Sequence, residues 1–140
     1  MPQKEHELFK ISLAGVLIKD DKCLILEFTK RPGRWDIPGG RIDKGEKCDE
    51  AFRREIKEEL GISEFEIISV LDYDIWHCEG KPLGAIAHLI KTDETKIKLS
   101  HEHSQSKWIT EDEIDDYDFL WPKAPSMIKK AFEYNRNLTK

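Results

Sequence analysis

Three glutamates, Glu55, Glu58 and Glu59, fall near the end of a segment, GRIDKGEKCDEAFRREIKEELGI (residues 40–62), that carries seven acidic side chains. Residues 47–60 contain no Gly or Pro and many good helix formers, and Gly61 stands where a helix would end. At about 100° per residue the three glutamates share an arc of roughly 100°. Phe52, Ile56 and Leu60 form the neighbouring stripe, at i, i+4 and i+8, which would bury against a sheet. The acids therefore stand beside the buried edge of the helix. Like charges at i, i+3 and i+4 repel by roughly 0.2–0.5 kcal/mol per pair. Glu58 and Glu59 also meet the negative end of the helix dipole, at a cost of roughly 0.3–1 kcal/mol each. Arg54 and Lys57 on flanking arcs relieve part of this. A divalent cation would relieve both costs, and oxygen ligands of this kind suit Mg²⁺ or Mn²⁺.

The preceding loop fits such a site. Gly39-Gly40 permits close approach of the backbone, the carbonyl of Gly40 is a further candidate ligand, and Gly45 allows a sharp turn into the helix. Glu46 and Arg54 are expected to pair as a structural brace between loop and helix. Upstream, Arg31, Arg34 and Trp35 are candidates to grip phosphate or stack on a base; packing under the loop is the competing expectation for Trp35. Trp76, with His77 and Tyr73, is a candidate lining of a substrate pocket, although strand alternation lets only some of them face it. His101 and His103 lie in a polar stretch and are read as solvated rather than as metal ligands. Asp72 and Asp74 read as a solvated strand edge. Cys78 is not read as a nucleophile, because its neighbour His77 would point to the opposite face. Trp121-Pro122 reads as packing and a turn.

These residues need a frame. Residues 10–18 (KISLAGVLI) and 23–28 (CLILEF) read as a hairpin around the turn KDDK. The Gly- and Pro-rich FTKRPGRWDIPGG reads as a loop. Residues 65–74 and 83–91 read as two more strands around EGKP, KIKL as a short extension, and SKWI as the last strand after the polar loop SHEHSQ. Thr110 and Glu113 form a capping-box pattern that opens a short helix. Ile128, Ala131, Phe132 and Asn135 follow helical spacing after Pro125 and Ser126, predicting a C-terminal helix docked through its apolar members. The pattern predicts an α+β fold, a mixed sheet covered by helices.

The 140 residues are expected to form a single domain, residues 1–140, with one hydrophobic core. No apolar run reaches the ~18 residues a membrane span requires, and the first ten residues are too polar for a signal peptide. Cys23, Cys48 and Cys78 are widely spaced, odd in number and without a CxxC pair, so a cytoplasmic location is expected. The net charge of −5 argues against a surface that coats nucleic acid generally. No pattern fixes an interface, which leaves monomer and homodimer open.

The order Gly40, Glu46, Arg54-Glu55-Ile56, Glu58-Glu59, Gly61-Ile62 resembles the complete Nudix box, and WDIPGG before it resembles the family's approach to the box. The resemblance implies an α/β/α sandwich around a mixed sheet, and Mg²⁺- or Mn²⁺-dependent hydrolysis of a nucleoside diphosphate linked to another group X. By position it implies Gly40, Glu55, Glu58 and Glu59 as metal ligands, with Arg54 orienting the glutamates. Family members often add an acidic residue from a later loop, here Glu102, as ligand or general base. Water would attack one phosphorus and the other phosphate would leave. Glu58 is the first choice of base and Glu102 the second. Lys47 departs from the frequent Ser or Thr helix cap, so a weaker cap is expected. The box does not choose the substrate. A nucleoside triphosphate or other small nucleotide is favoured. ADP-ribose or another nucleotide sugar, a dinucleoside polyphosphate and an RNA 5′ end are the alternatives, together with a non-catalytic nucleotide-binding module. Neither substrate marker, a proline or a tyrosine beyond the box, is found around Trp76–Glu79.

Overall fold

The computed structural model describes residues 5–138. Strand β1 (Lys10–Lys19) and strand β2 (Lys22–Phe28) form the expected hairpin, with Ile18 opposite Cys23 and Lys19 opposite Lys22. Asp20 and Asp21 both have positive φ, 51° and 59°, the tight turn whose twist matches the flanking strands. The hairpin pairing is short because each strand then takes other partners. β1 runs parallel to β6 (Lys81–Lys91) and antiparallel to β4 (Gly39–Arg41), and β6 pairs antiparallel with the edge strand β5 (Glu66–Cys78). β2 pairs with β3 (Arg34–Asp36) and β7 (His103–Ile109), and β3 with the two-residue β8 (Asp118–Phe119). The result is a mixed sheet curled around β1 and β2.

Alternation along β1 divides the core. Leu13 and Leu17 point to the face covered by helix α1 (Cys48–Leu60), where they meet Phe52, Ile56 and Leu60. Ala14, Val16 and Ile18 point to the opposite face, where α2 (Ala124–Leu138) lays down Met127, Ile128, Ala131 and Phe132. This is the expected sandwich of helices around a mixed sheet. Lys47 precedes α1 as an N-cap without a side-chain hydrogen bond, as its lysine foretold, and Gly61, φ 72°, caps the other end with its N–H bonded to the Lys57 carbonyl at 2.8 Å. Thr110 and Glu113 make both halves of the capping box at the start of a 3-10 helix, Glu111–Asp116.

Several local expectations are corrected. FTKRPGRWDIPGG is not all loop: β3 and β4 lie within it, because its short extended runs find partners in β2, β8 and β1. KIKL is not a strand; the Lys98 N–H instead bonds to the Leu60 carbonyl and holds the chain against the end of α1. The strand expected at SKWI begins three residues earlier, at His103, and β8 follows it. Asp72 and Asp74 do lie on the edge strand β5, but both have partners: Asp72 pairs with Lys130 of α2, and Asp74 accepts from Trp121 Nε1 at 3.2 Å. Among the described residues no helix is long and apolar enough to cross a membrane.

Candidate active site

The angular order on α1 sets a gradient of burial. Glu59 lies nearest the apolar stripe and its side chain is 7% exposed; Glu55 is 16% exposed and Glu58, farthest round, 58%. Arg54 ties the group together. Its Nε and Nη2 donate to the two oxygens of Glu46 at 2.7 and 2.8 Å, a planar fork on a carboxylate. Nη1 donates to Glu55 Oε1 at 2.8 Å and Glu58 Oε2 at 3.2 Å, and Nη2 also reaches the Arg41 carbonyl at 3.1 Å. One guanidinium thus fixes loop, helix and two of the three glutamates. The Arg54 bonds, with the Asp43 N–H at 2.8 Å, hold the Glu46 carboxyl down at about 2. A permanently ionised, fully engaged Glu46 is a brace.

The diglycine of β4 closes the other side. Gly39 has φ 153°, and a Cβ there would stand 2.2 Å from the Leu13 carbonyl oxygen. A Cβ on Gly40 would stand 2.1 Å from Glu55 Oε2, so the carboxylate occupies the space that a side chain would fill. Gly39 N–H donates to Glu59 Oε1 at 2.9 Å. Despite that bond, burial pushes the Glu59 carboxyl up to about 8, with Glu55, Glu102 and Asp36 adding repulsion. Burial also raises Glu55 against the pull of Arg54. Asp36 is pushed up to about 7 by burial, although the Ile37 N–H at 2.9 Å and the Trp121 N–H favour its charged form.

These carboxyls are therefore short of positive charge. Among the described residues no three Asp, Glu, His or Cys groups already converge as a metal cluster. Glu55 and Glu58 are turned onto Arg54, and Glu59 onto Gly39 and His103. The donor chemistry nevertheless fits a hard divalent cation: oxygen ligands on one helix arc, two with raised pKa, beside a backbone stripped of side chains at Gly40.

The remaining expected residues divide. Glu102 precedes β7 and lies close enough to Glu59 to raise its pKa, which brings it to the carboxylate cluster. Arg31 is exposed in the turn between β2 and β3. Arg34 is committed to β8, with Nη2 on the Phe119 carbonyl at 3.2 Å and Nε 3.3 Å from Asp118. Trp35 is buried in the α2-side core, edge-on to Tyr117 at 5.2 Å and beneath Lys107. Its ring packs under the loop rather than presenting a stacking surface, because β3 turns it to the α2-side face. Trp76 is partly exposed on that same face and stacks on Trp121 at 6.0 Å and 22°.

Strand register shows what lies between Trp76 and the diglycine. Asp74, Ala85, Ser12 and Arg41 form one row across β5, β6, β1 and β4, and Trp76, Leu83 and Lys10 form the next. Both rows face the α2 side. Ala85 and Ser12 put small side chains in the middle of the first row, between Asp74 at one end and Arg41, next to Gly40, at the other, with Trp76 beside Asp74 in the next row. Three strand spacings make this groove roughly 14 Å long. Asp36, Arg41, Ser12 and His103 were not singled out for this site from the sequence. Arg41 and Ser12 become legible only through register. His103, expected to be solvated, is buried with Nδ1 3.2 Å from Glu59 Oε2.

The sequence matches the NUDIX domain family model over residues 10–131. Nudix hydrolase 25 of Arabidopsis thaliana is 26% identical over 136 residues, covering 84% of this chain and 73% of its own. An RNA pyrophosphohydrolase of Campylobacter jejuni is 31% identical over 117 residues, covering 80% of this chain and 70% of its own. In fold the chain is similar to a C. elegans Ap4A hydrolase solved as a binary complex, with a TM-score of 0.79 at 23% identity over 91% of this chain and 98% of that one. With Glu55 and Glu58 held by one arginine, Glu59 held by the diglycine strand beside them, and the domain match spanning most of the sequence, the chain belongs to the Nudix hydrolase family.

Proposed function

We propose that the chain is a Mg²⁺- or Mn²⁺-dependent pyrophosphohydrolase acting on a nucleoside diphosphate linked to X, with a nucleoside triphosphate or other small nucleotide as substrate. The observation that carries this reading is the gathering of Glu55 and Glu58 by Arg54, and of Glu59 by the Gly39 N–H, beside the Gly39-Gly40 backbone. Glu55, Glu58 and Glu59, with the Gly40 carbonyl and Glu102, would hold the cation. When bound, it supplies charge neutralisation of the pyrophosphate oxygens and a lowered pKa for bound water.

The chain's own groups supply the rest. Arg54 fixes Glu55 and Glu58 on the helix, so that their charge is in place before the reaction. Glu58, the most exposed of the three and held by one 3.2 Å bond to Arg54, is free to take the proton of the attacking water. Glu102 is the second choice for that role. Water adds to one phosphorus, the bridging oxygen leaves with the other phosphate, and a nucleotide and X-phosphate result. The groove's length suits one nucleotide, with the base against Trp76 and the phosphates toward Arg41 and Gly40. Arg31 is proposed as a second phosphate contact from the exposed turn. Arg34 and Trp35 support the loop.

An RNA 5′ end is the second reading, favoured by the named RNA pyrophosphohydrolase relative. A non-catalytic module is disfavoured because every box glutamate is retained. The test is a hydrolysis panel in Mg²⁺ and in Mn²⁺, with nucleoside triphosphates, ADP-ribose, a dinucleoside polyphosphate and 5′-triphosphorylated RNA, products identified by chromatography. Metal-dependent turnover of a small nucleotide supports the main reading. Turnover of the RNA alone supports the second, and tight binding without turnover contradicts both.

A further inference from the structure

Strand β7 enters the sheet through a β-bulge. Gln105 lies opposite Glu27 and His103 opposite Phe28, so Ser104 has no partner across the strand. Glu27 pins the irregularity: its Oε1 accepts from Ser104 Oγ at 3.2 Å and Gln105 Nε2 at 2.7 Å. Regular pairing would set Ser104 opposite Phe28 and turn His103 to the other face. Phe28 shares its face with Leu24 and Leu26, which pack beneath α1. The extra residue therefore re-aims His103 under α1, a use of bulges common beside active sites.

There the imidazole tilts against the Phe28 ring at 5.1 Å, and both it and Glu59 are more than nine-tenths buried. Nδ1 is 3.2 Å from Glu59 Oε2, yet it completes no hydrogen bond and has no other partner among the described residues. The other oxygen of Glu59 already accepts from Gly39. A small rotation of either side chain would bring the Nδ1–H onto Oε2, so the contact is held close but not closed.

We propose that His103 is a positioning residue for Glu59. Its Nδ1–H donates to Oε2 of the ionised carboxylate and fixes the orientation in which Glu59 serves a divalent cation. The bulge supplies the placement, and Gly39 N–H and His103 grip the two oxygens from opposite sides. This inference rests on the cation-binding reading of Glu59, and His103 itself touches neither cation nor substrate. Partners of this kind, behind a metal ligand, typically change metal affinity about 10- to 100-fold when removed.

The test is Mn²⁺ affinity of the purified full chain without substrate, measured by the loss of free Mn²⁺ signal in electron paramagnetic resonance. His103→Leu is expected to weaken Mn²⁺ about 10- to 100-fold. His103→Asn, whose side-chain N–H group stands near the Nδ1 position, is expected to restore affinity to within about threefold. If His103→Leu fails to fold by circular dichroism, His103→Gln replaces it, since its amide extends to the Nε2 position and should not rescue. Wild-type affinity in the Leu or Gln variant overturns the proposal, as does equal loss in Leu and Asn. Absence of Mn²⁺ binding by the wild type would instead overturn the reading of the site, and this inference with it.

Discussion

The α1 side of the sheet gathers charge, whereas the α2 side gathers shape. On the first, Glu46, Arg54, Glu55, Glu58 and Glu59 come from one continuous segment; a single guanidinium holds Glu46, Glu55 and Glu58, and the diglycine backbone holds Glu59. On the second, the groove is assembled from β1, β4, β5 and β6, with Ser12 and Ala85 leaving room and Trp76 and Trp121 closing one end. The contrast follows from what each side is proposed to do. Charges that stabilise a reacting phosphate must be fixed before the reaction, and short-range covalent spacing fixes them best. Recognition of a nucleotide needs only a surface of suitable width and stacking area, which distant residues can supply and exchange.

If that division is correct, damage on the two sides should look different. The largest effect is expected from Arg54→Gln, which releases Glu46, Glu55 and Glu58 together. Its kcat should fall on the order of 10²- to 10³-fold, while KM for the same nucleotide changes little. Trp76→Ala on the other side should raise KM about tenfold and leave kcat within about threefold, the loss of one base-stacking contact. Steady-state kinetics on the substrate found in the panel separates the two. A Trp76 variant that loses kcat as Arg54 does would break the comparison.

Metal-free stability should carry the charge crowding of the α1 side. The carboxyl of Glu59 is raised from 4.5 to about 8 and that of Asp36 from 3.8 to about 7. At these two carboxyls the folded chain holds protons that the unfolded chain has released, so their contribution to stability is greatest below about pH 4.5 and is lost as pH rises toward 8. His88 and His103, lowered by burial, offset part of that loss around their usual 6.5. Thermal melts in chelator should give a Tm lower by about 5 °C or more at pH 8.5 than at pH 5.5. Mg²⁺ should recover most of that loss at pH 8.5 and little at pH 5.5. The smallest effect is expected from Lys47→Ser. A side-chain cap would stabilise α1 by about 1 kcal/mol and leave kcat unchanged. In a domain of this size the same melt would register roughly 3 °C.

What the sequence made legible follows the same division. The helix, its three glutamates, the Glu46–Arg54 brace and the missing cap could be read because each depends on spacings of a few residues. The groove could not, since which strand residues share a row depends on pairings such as Ser12 with Arg41 and Asp74 with Ala85. The packing of Trp35 under the loop was among the readings its sequence allowed, but the short strand that turns it inward was not, because it lies within an apparent loop. His103 was hidden by the bulge, which reverses its face relative to simple alternation. Asp36 carries no periodic signal; its raised pKa arises from burial beneath the loop.

The central claim is that the glutamates of α1 perform hydrolysis through a bound divalent cation. It is tested most directly by turnover of Glu58→Gln and Glu59→Gln at saturating Mg²⁺, with circular dichroism confirming that each is folded. Each is expected to slow kcat on the order of 10²- to 10³-fold. Near wild-type turnover in both would contradict it.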